Sequence, residues 1–215
     1  MPRPPDKRPG KPGGKRATNR LERISTLKQA ALVHFLERGL EAVTIDEITR
    51  GAGVAKGTFY RYFDDKEDLV SSMMEPIISG FESVFQRFRA ALEIAPETDA
   101  LFEVYATLGA ELASLAWTRP ELIRLYLQER RGADAPPRSA IHRLARMLDT
   151  SVEDFSAVAV ERGLLRPSSP RVTAQVVIGA VEQLLFSMLH GSSLGEPHVV
   201  VQELISLVLE GLIER

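Results

Sequence analysis

Apolar residues recur at steps of three and four along most of the chain, and the period-two alternation of a half-buried strand is nearly absent. The pattern is cut at Gly39, Gly53, Pro96, Pro120, Pro136-Pro137, Gly163, Pro167, Pro170 and Gly195, residue types that punctuate helices rather than extend them. Such a chain predicts an all-α fold of about nine helices and no sheet. Of its 215 residues 44% are apolar, enough for a substantial core.

Composition removes several kinds of chemistry. The sequence has no cysteine, which excludes a thiolate nucleophile, a disulfide staple and cysteine-ligated zinc. Its four histidines, His34, His142, His190 and His198, are scattered, and no HExxH, Walker loop or GxSxG occurs. The expectation is a protein that is not an enzyme, with no cofactor, no metal and no catalytic residues. No run of 18 apolar residues is present and the basic N-terminal segment lacks an apolar stretch, so the reading is a soluble cytoplasmic protein.

Charge is unevenly spread over a formal net of −2. Arg3, Lys7, Arg8, Lys11, Lys15, Arg16, Arg20 and Arg23 crowd the first 23 residues against only Asp6 and Glu22, while the remainder is mildly acidic. A basic arm on an acidic body fits either a polyanion partner, nucleic acid first, or an idle solvated tail. Prolines and glycines fill this segment, so residues 1–18 are expected to be disordered.

Local signals place the helices that follow. Leu27, Ala31 and Phe35 form one face of a first helix over about 19–38, closed by Gly39. Thr44-Ile45-Asp46-Glu47 has the form of a capping box and starts a short helix ending near Gly51. A turn at Gly53 leads to a second short helix, about 55–62. Asp64 or Asp65 then caps a long helix that Pro76 should kink. Five more helices are expected at about 98–117, 119–131, 138–163, 171–190 and 197–214. The 119–131 helix is to be started by a second box, Thr118-Arg119-Pro120-Glu121.

The short pair has the outline of a helix-turn-helix. In its second helix Val54, Phe59 and Phe63 can pack inward. Lys56, Thr58, Tyr60, Arg61 and Tyr62 are left on the surface, with two cations, a hydroxyl and two phenols on barely two turns. That face suits a DNA groove, and Gly57 lets the backbone approach the duplex.

The stretch Leu27…Ala30-Ala31…Phe35…Arg38-Gly39…Thr44-Ile45…Ile48…Ala52-Gly53-Val54…Lys56-Gly57-Thr58-Phe59-Tyr60-Arg61-Tyr62-Phe63…Lys66…Leu69 resembles the DNA-binding domain of TetR/AcrR-type transcriptional regulators. The resemblance implies a helix-turn-helix domain over 19–66 and a ligand-binding and dimerisation domain over 67–215. It implies that Thr44 holds a phosphate by its hydroxyl and backbone N–H, and that Lys56, Gly57 and Thr58 face bases. Tyr60, Tyr62 and Lys66 match phosphate contacts. Lys28 and His34 stand where the family pattern is usually apolar. His34 is either a surface substitution or a partly buried, hydrogen-bonded histidine.

The last two helices are apolar almost all round and must be covered on every side. This predicts a homodimer joined through Val177, Val181, Leu184, Leu185, Met188, Leu204 and Val208. The ligand pocket is expected among Phe81, Phe85, Phe88, Tyr105, Leu108, Leu112, Trp117, Tyr126, Met147, Phe155, Gln183 and Phe186. That apolar set suggests a hydrophobic effector. Glu182 meets a cationic ligand, pairs across the dimer or faces solvent. The leading reading is a homodimeric repressor released from a palindromic operator by a small effector, with no membrane partner. The alternative is a DNA-binding dimer without a small-molecule ligand, an accessory or architectural factor.

Overall fold

The computed structural model describes residues 15–94 and 98–212, with the side chains of 17–94 and 101–211. Among the described residues there are nine α-helices, one 3-10 turn and no strand. Residues 1–14 of the expected basic arm lie outside this range. Residues 15–18, expected to belong to the arm, lie in the first helix.

Helix α1 spans Lys15–Ala42, with Gly39 breaking its helical course at φ 80°, the left-handed conformation that favours glycine. Helix α2 is Ile45–Gly51. Thr44 Oγ1 accepts from the Glu47 N–H while the Glu47 carboxylate accepts from the Thr44 N–H, so the expected capping box is present in both halves. Helix α3, Lys56–Phe59, is shorter than the sequence predicts. Helix α4, Lys66–Ile94, is started by Asp65, whose Oδ1 accepts from the Asp68 N–H at 2.8 Å.

The remaining helices are α5 (Thr98–Thr118), α6 (Pro120–Glu129), α7 (Ser139–Glu161), α8 (Pro170–Leu189) and α9 (Pro197–Leu212), close to their predicted bounds. The second expected capping box is absent. Thr118 belongs to α5 and donates its hydroxyl back to the Ser114 carbonyl, leaving Arg119 at the start of α6. Proline at the first helical position fixes the α6 boundary without a side-chain cap.

One continuous core runs through the described residues, from Leu27, Phe35, Ile48 and Phe59 to Leu125, Ile141, Phe155 and Leu209. Helix α4 joins its two ends. Leu69, Val70 and Met73 share one buried cluster with Ile48 and Phe59, while Phe81, Phe85 and Phe88 sit among α5 and α7. Helix α7 packs on α4 and α8, α5 packs on α9, and α6 lies against both α1 and α8. Helix α6 is thus the direct bridge between the N-terminal helices and the C-terminal bundle.

Two polar features secure that junction. Pro76 has no N–H, so the Ser72 carbonyl four residues earlier lacks its helical donor. Lys28 of α1 donates its ammonium to that carbonyl at 2.7 Å. Burial and the neighbouring Arg119 lower the Lys28 pKa. At the end of α1, the Glu129 carboxylate accepts from the Leu40 N–H at 3.0 Å and from Arg138 Nε at 2.7 Å, while Arg138 also reaches Glu41. Gln128 donates to the Phe35 carbonyl at 3.0 Å.

Candidate nucleic-acid interface and ligand cavity

Helices α2 and α3 and the turn between them present one continuous surface. Phe59 and Phe63 are buried beneath it, which fixes α3 against the core through two residues of a single turn. Lys56, Gly57, Tyr60 and Arg61 are then exposed, while Thr58 and Tyr62 are half-buried. Tyr60 stands 50% exposed, held edge-on to Phe59 at 5.5 Å. A Cβ on Gly57 would meet no atom within 4 Å, so the space above that backbone is open.

Electrostatics divide these residues into free and engaged groups. Lys56 Nζ lies 2.7 Å from Asp46 Oδ1, an exposed pair that raises the lysine pKa and ties α3 to α2. Exposed pairs are weakly held, so a phosphate or base edge can compete for the ammonium. Thr44 departs from its expected role. Both its N–H and its hydroxyl donate to Glu47 Oε2 at 2.8 Å, so neither is directed at an anion in this conformation. The Arg38 guanidinium beside Glu47, followed by the two Thr44 donors, holds that carboxyl well down, to about 2.

Lys66 is a second correction. Its ammonium has three donors, and it sends them to the carbonyls of Leu40, Glu41 and Val43, closing the C-terminal end of α1. Burial lowers its pKa. It holds the protein's own backbone rather than standing ready for a phosphate. His34 is partly buried between α1 and α2, with Nδ1 3.9 Å from a Glu37 oxygen.

Arg20 was missed as a site residue. Its guanidinium lies 6.0 Å from the Tyr62 ring centroid, which brings a cation of α1 beside the α3 surface. No local spacing links positions 20 and 62, so only the packing of α1 could reveal it.

The C-terminal bundle encloses a cavity of about 220 Å³ bounded by α4 to α9. Of the expected lining residues, Phe81, Phe85, Tyr105, Leu108, Leu112, Trp117, Tyr126 and Phe155 border it. Phe88 does not. It is buried behind the wall, edge-on to Tyr105 and Phe155 at 5.0 and 4.8 Å. Met147 falls off the Leu144–Leu148–Val152 stripe that faces the cavity. Gln183 points outward and bonds Ser187, and Phe186 is exposed and stacked on His190 at 4.1 Å.

The seven residues expected between subunits, Val177, Val181, Leu184, Leu185, Met188, Leu204 and Val208, are half-buried and border this cavity. The outward stripe of α8 is Val172, Val176, Gln183 and Phe186, and Leu207 is the most exposed apolar side chain of α9 among the described residues. Helix α8 is also long and apolar enough to cross a membrane. Here it packs on α7 and carries one buried carboxylate into the cavity wall. That carboxylate, Glu182, is buried away from solvent. It accepts from the Tyr126 hydroxyl at 2.8 Å and pairs with Arg130. Burial pushes the phenols of Tyr126 and Tyr105 up to about 12, so both stay neutral.

Residues 27–73, which contain this helix-turn-helix, match the family model of bacterial regulatory proteins, tetR family. The match assigns this N-terminal segment, not the whole chain, to the tetR-type DNA-binding domain. Among the chain's relatives is the HTH-type transcriptional repressor KstR2 of Rhodococcus jostii, 32% identical over 135 residues. That alignment covers 60% of this chain and 60% of KstR2. The HTH-type transcriptional regulator YhgD of Bacillus subtilis is 23% identical, over 77% of this chain and 84% of its own length. Two solved TetR-like structures share the whole fold. NalD, the secondary repressor of the MexAB-OprM multidrug efflux pump of Pseudomonas aeruginosa, superposes with a TM-score of 0.68 at 21% identity, covering 92% of this chain and 98% of NalD. The fatty acid degradation regulator FadR of Bacillus halodurans gives 0.65 at 19% identity, covering 90% and 97%.

Proposed function

We propose that this chain is a homodimeric repressor of the TetR family that binds a palindromic operator and leaves it when a small hydrophobic effector enters the C-terminal cavity. It acts in the cytoplasm and performs no catalysis. The observation that carries this reading is a single one. Helix α6 puts Tyr126 at the cavity, bonded to Glu182, with Arg130 at its end pairing behind them, and it puts Gln128 and Glu129 on the end of α1. An occupant that moves α6 therefore moves the platform on which α2 and α3 rest. Lys56 and Thr58 reach base edges, and Tyr60, Arg61 and Arg20 meet phosphates. Two copies meet through the outward stripe of α8 and the exposed face of α9.

The test is selection of duplexes from a random pool, followed by titration of the enriched sequence. The enriched site is expected to be a palindrome. Lys56→Ala should weaken it about tenfold or more and blur preference at one position. Gly57→Ala should fold as well as the parent, since the space is open and alanine is the better helix former. It should still bind the selected site more weakly, because the added methyl meets the duplex. Unchanged affinity in both variants would remove α3 from the interface, and a pool without enrichment would remove operator recognition.

A further inference from the structure

We infer that the C-terminal cavity takes an uncharged, largely apolar molecule with one hydroxyl or carbonyl group, held where Tyr126 and Glu182 meet. This rests on the reading of that cavity as an effector site and narrows what the effector is.

The cavity wall is apolar nearly throughout, so a ligand's polar atoms have few places to go. Ser156 has spent its hydroxyl on the Val152 carbonyl at 2.8 Å. The polar end is the cluster of Glu182, 7% exposed, Tyr126, 4% exposed, and Arg130 behind them. Its charge is already balanced. Arg130 offsets Glu182, and the next charges acting on Tyr126, Asp149 and Arg131, are also of opposite sign.

A buried, balanced pair selects against ions of either sign. A ligand carboxylate that took Arg130 would leave Glu182 buried without its counter-charge, and a ligand ammonium that took Glu182 would strand Arg130. Breaking such a pair is strongly unfavourable. A ligand hydroxyl can donate to the carboxylate, a ligand carbonyl can accept from the phenol by taking over the O–H that Tyr126 gives Glu182, and neither adds a charge. The guanidinium has capacity to spare as well, since Arg130 Nε is buried and has no hydrogen-bond partner among the described residues.

Trp117 is the sole tryptophan of the chain and borders the cavity, so its emission reports occupancy directly. The experiment titrates the full-length protein with decan-1-ol, decanoate and decylammonium at one ionic strength, following Trp117 emission and thermal stability together. The alcohol is expected to bind about tenfold or more tighter than either ion. Glu182→Gln should turn the preference toward decanoate, and Arg130→Gln toward decylammonium. Tighter binding of either ion to the parent protein overturns the inference while leaving the cavity an effector site. No response of emission or stability to any of the three overturns the effector reading itself. If a variant fails to fold, the three titrations of the parent still decide.

Discussion

Lys28 and Pro76 each break a local rule, and together they mend it. A proline eleven positions into a long helix orphans a carbonyl, and a lysine at a position usually apolar supplies the missing donor. Lys28→Met should therefore destabilise the protein by about 1 kcal/mol, the low end of the cost of an unsatisfied carbonyl, since this one is part-buried. In a Pro76→Ala background residue 76 regains its N–H, and the same substitution should cost much less. Urea denaturation of the four-member cycle measures the coupling, and additive losses would mean that Lys28 acts elsewhere. The sequence exposed each oddity but not the link, since 44 residues separate the lysine from its carbonyl. The same limit hid Lys66. Its type and position matched an anion contact, and only the folded end of α1 supplied the three carbonyls that claim it.

Helix ends were the most legible elements because their chemistry is confined to four residues. Thr44 and Glu47 predicted the start of α2, and both halves of the box formed. The box also has a pH signature. The Glu47 pKa is depressed to about 2, so its contribution is complete above the ordinary carboxylate range near 4.5 and disappears as pH falls toward 2. The 13C shift of the Glu47 side-chain carboxyl should titrate near 2 in the folded protein. A midpoint near 4.5 would show that the contacts with Arg38 and Thr44 are not held in solution. Thr118 shows where such reading fails. The same residue pattern stood at the start of α6, but the hydroxyl turned back to Ser114 once α5 reached it. A short polar side chain serves whichever backbone carbonyl or N–H is nearer, and that depends on where the preceding helix stops.

At the scale of the whole molecule, the proposed dimer is assembled through the outward faces of α8 and α9. Val176→Glu on the outer stripe of α8 and Leu207→Glu on α9 should convert a dimer to a folded monomer, as light scattering with circular dichroism would show. Leu184→Glu should instead unfold the bundle or block ligand binding, because that side chain borders the cavity. A dimer that survives both outer substitutions would place the subunit contact elsewhere. The sequence by itself determined the helical class, the bounds of most helices though not of α1 and α3, the helix-turn-helix and the buried aromatic pair under it. Each of these is written in spacings of one to five residues, where a chain's own covalent geometry sets who meets whom. Only the tertiary structure decided that α6 ties the cavity to α1, that Glu182 is matched by Arg130, and which side of α8 lines the cavity. A helix that is apolar all round carries no periodic mark to tell one buried face from another. The choice therefore fell to the packing of α7, α5 and α6 against it and its neighbour.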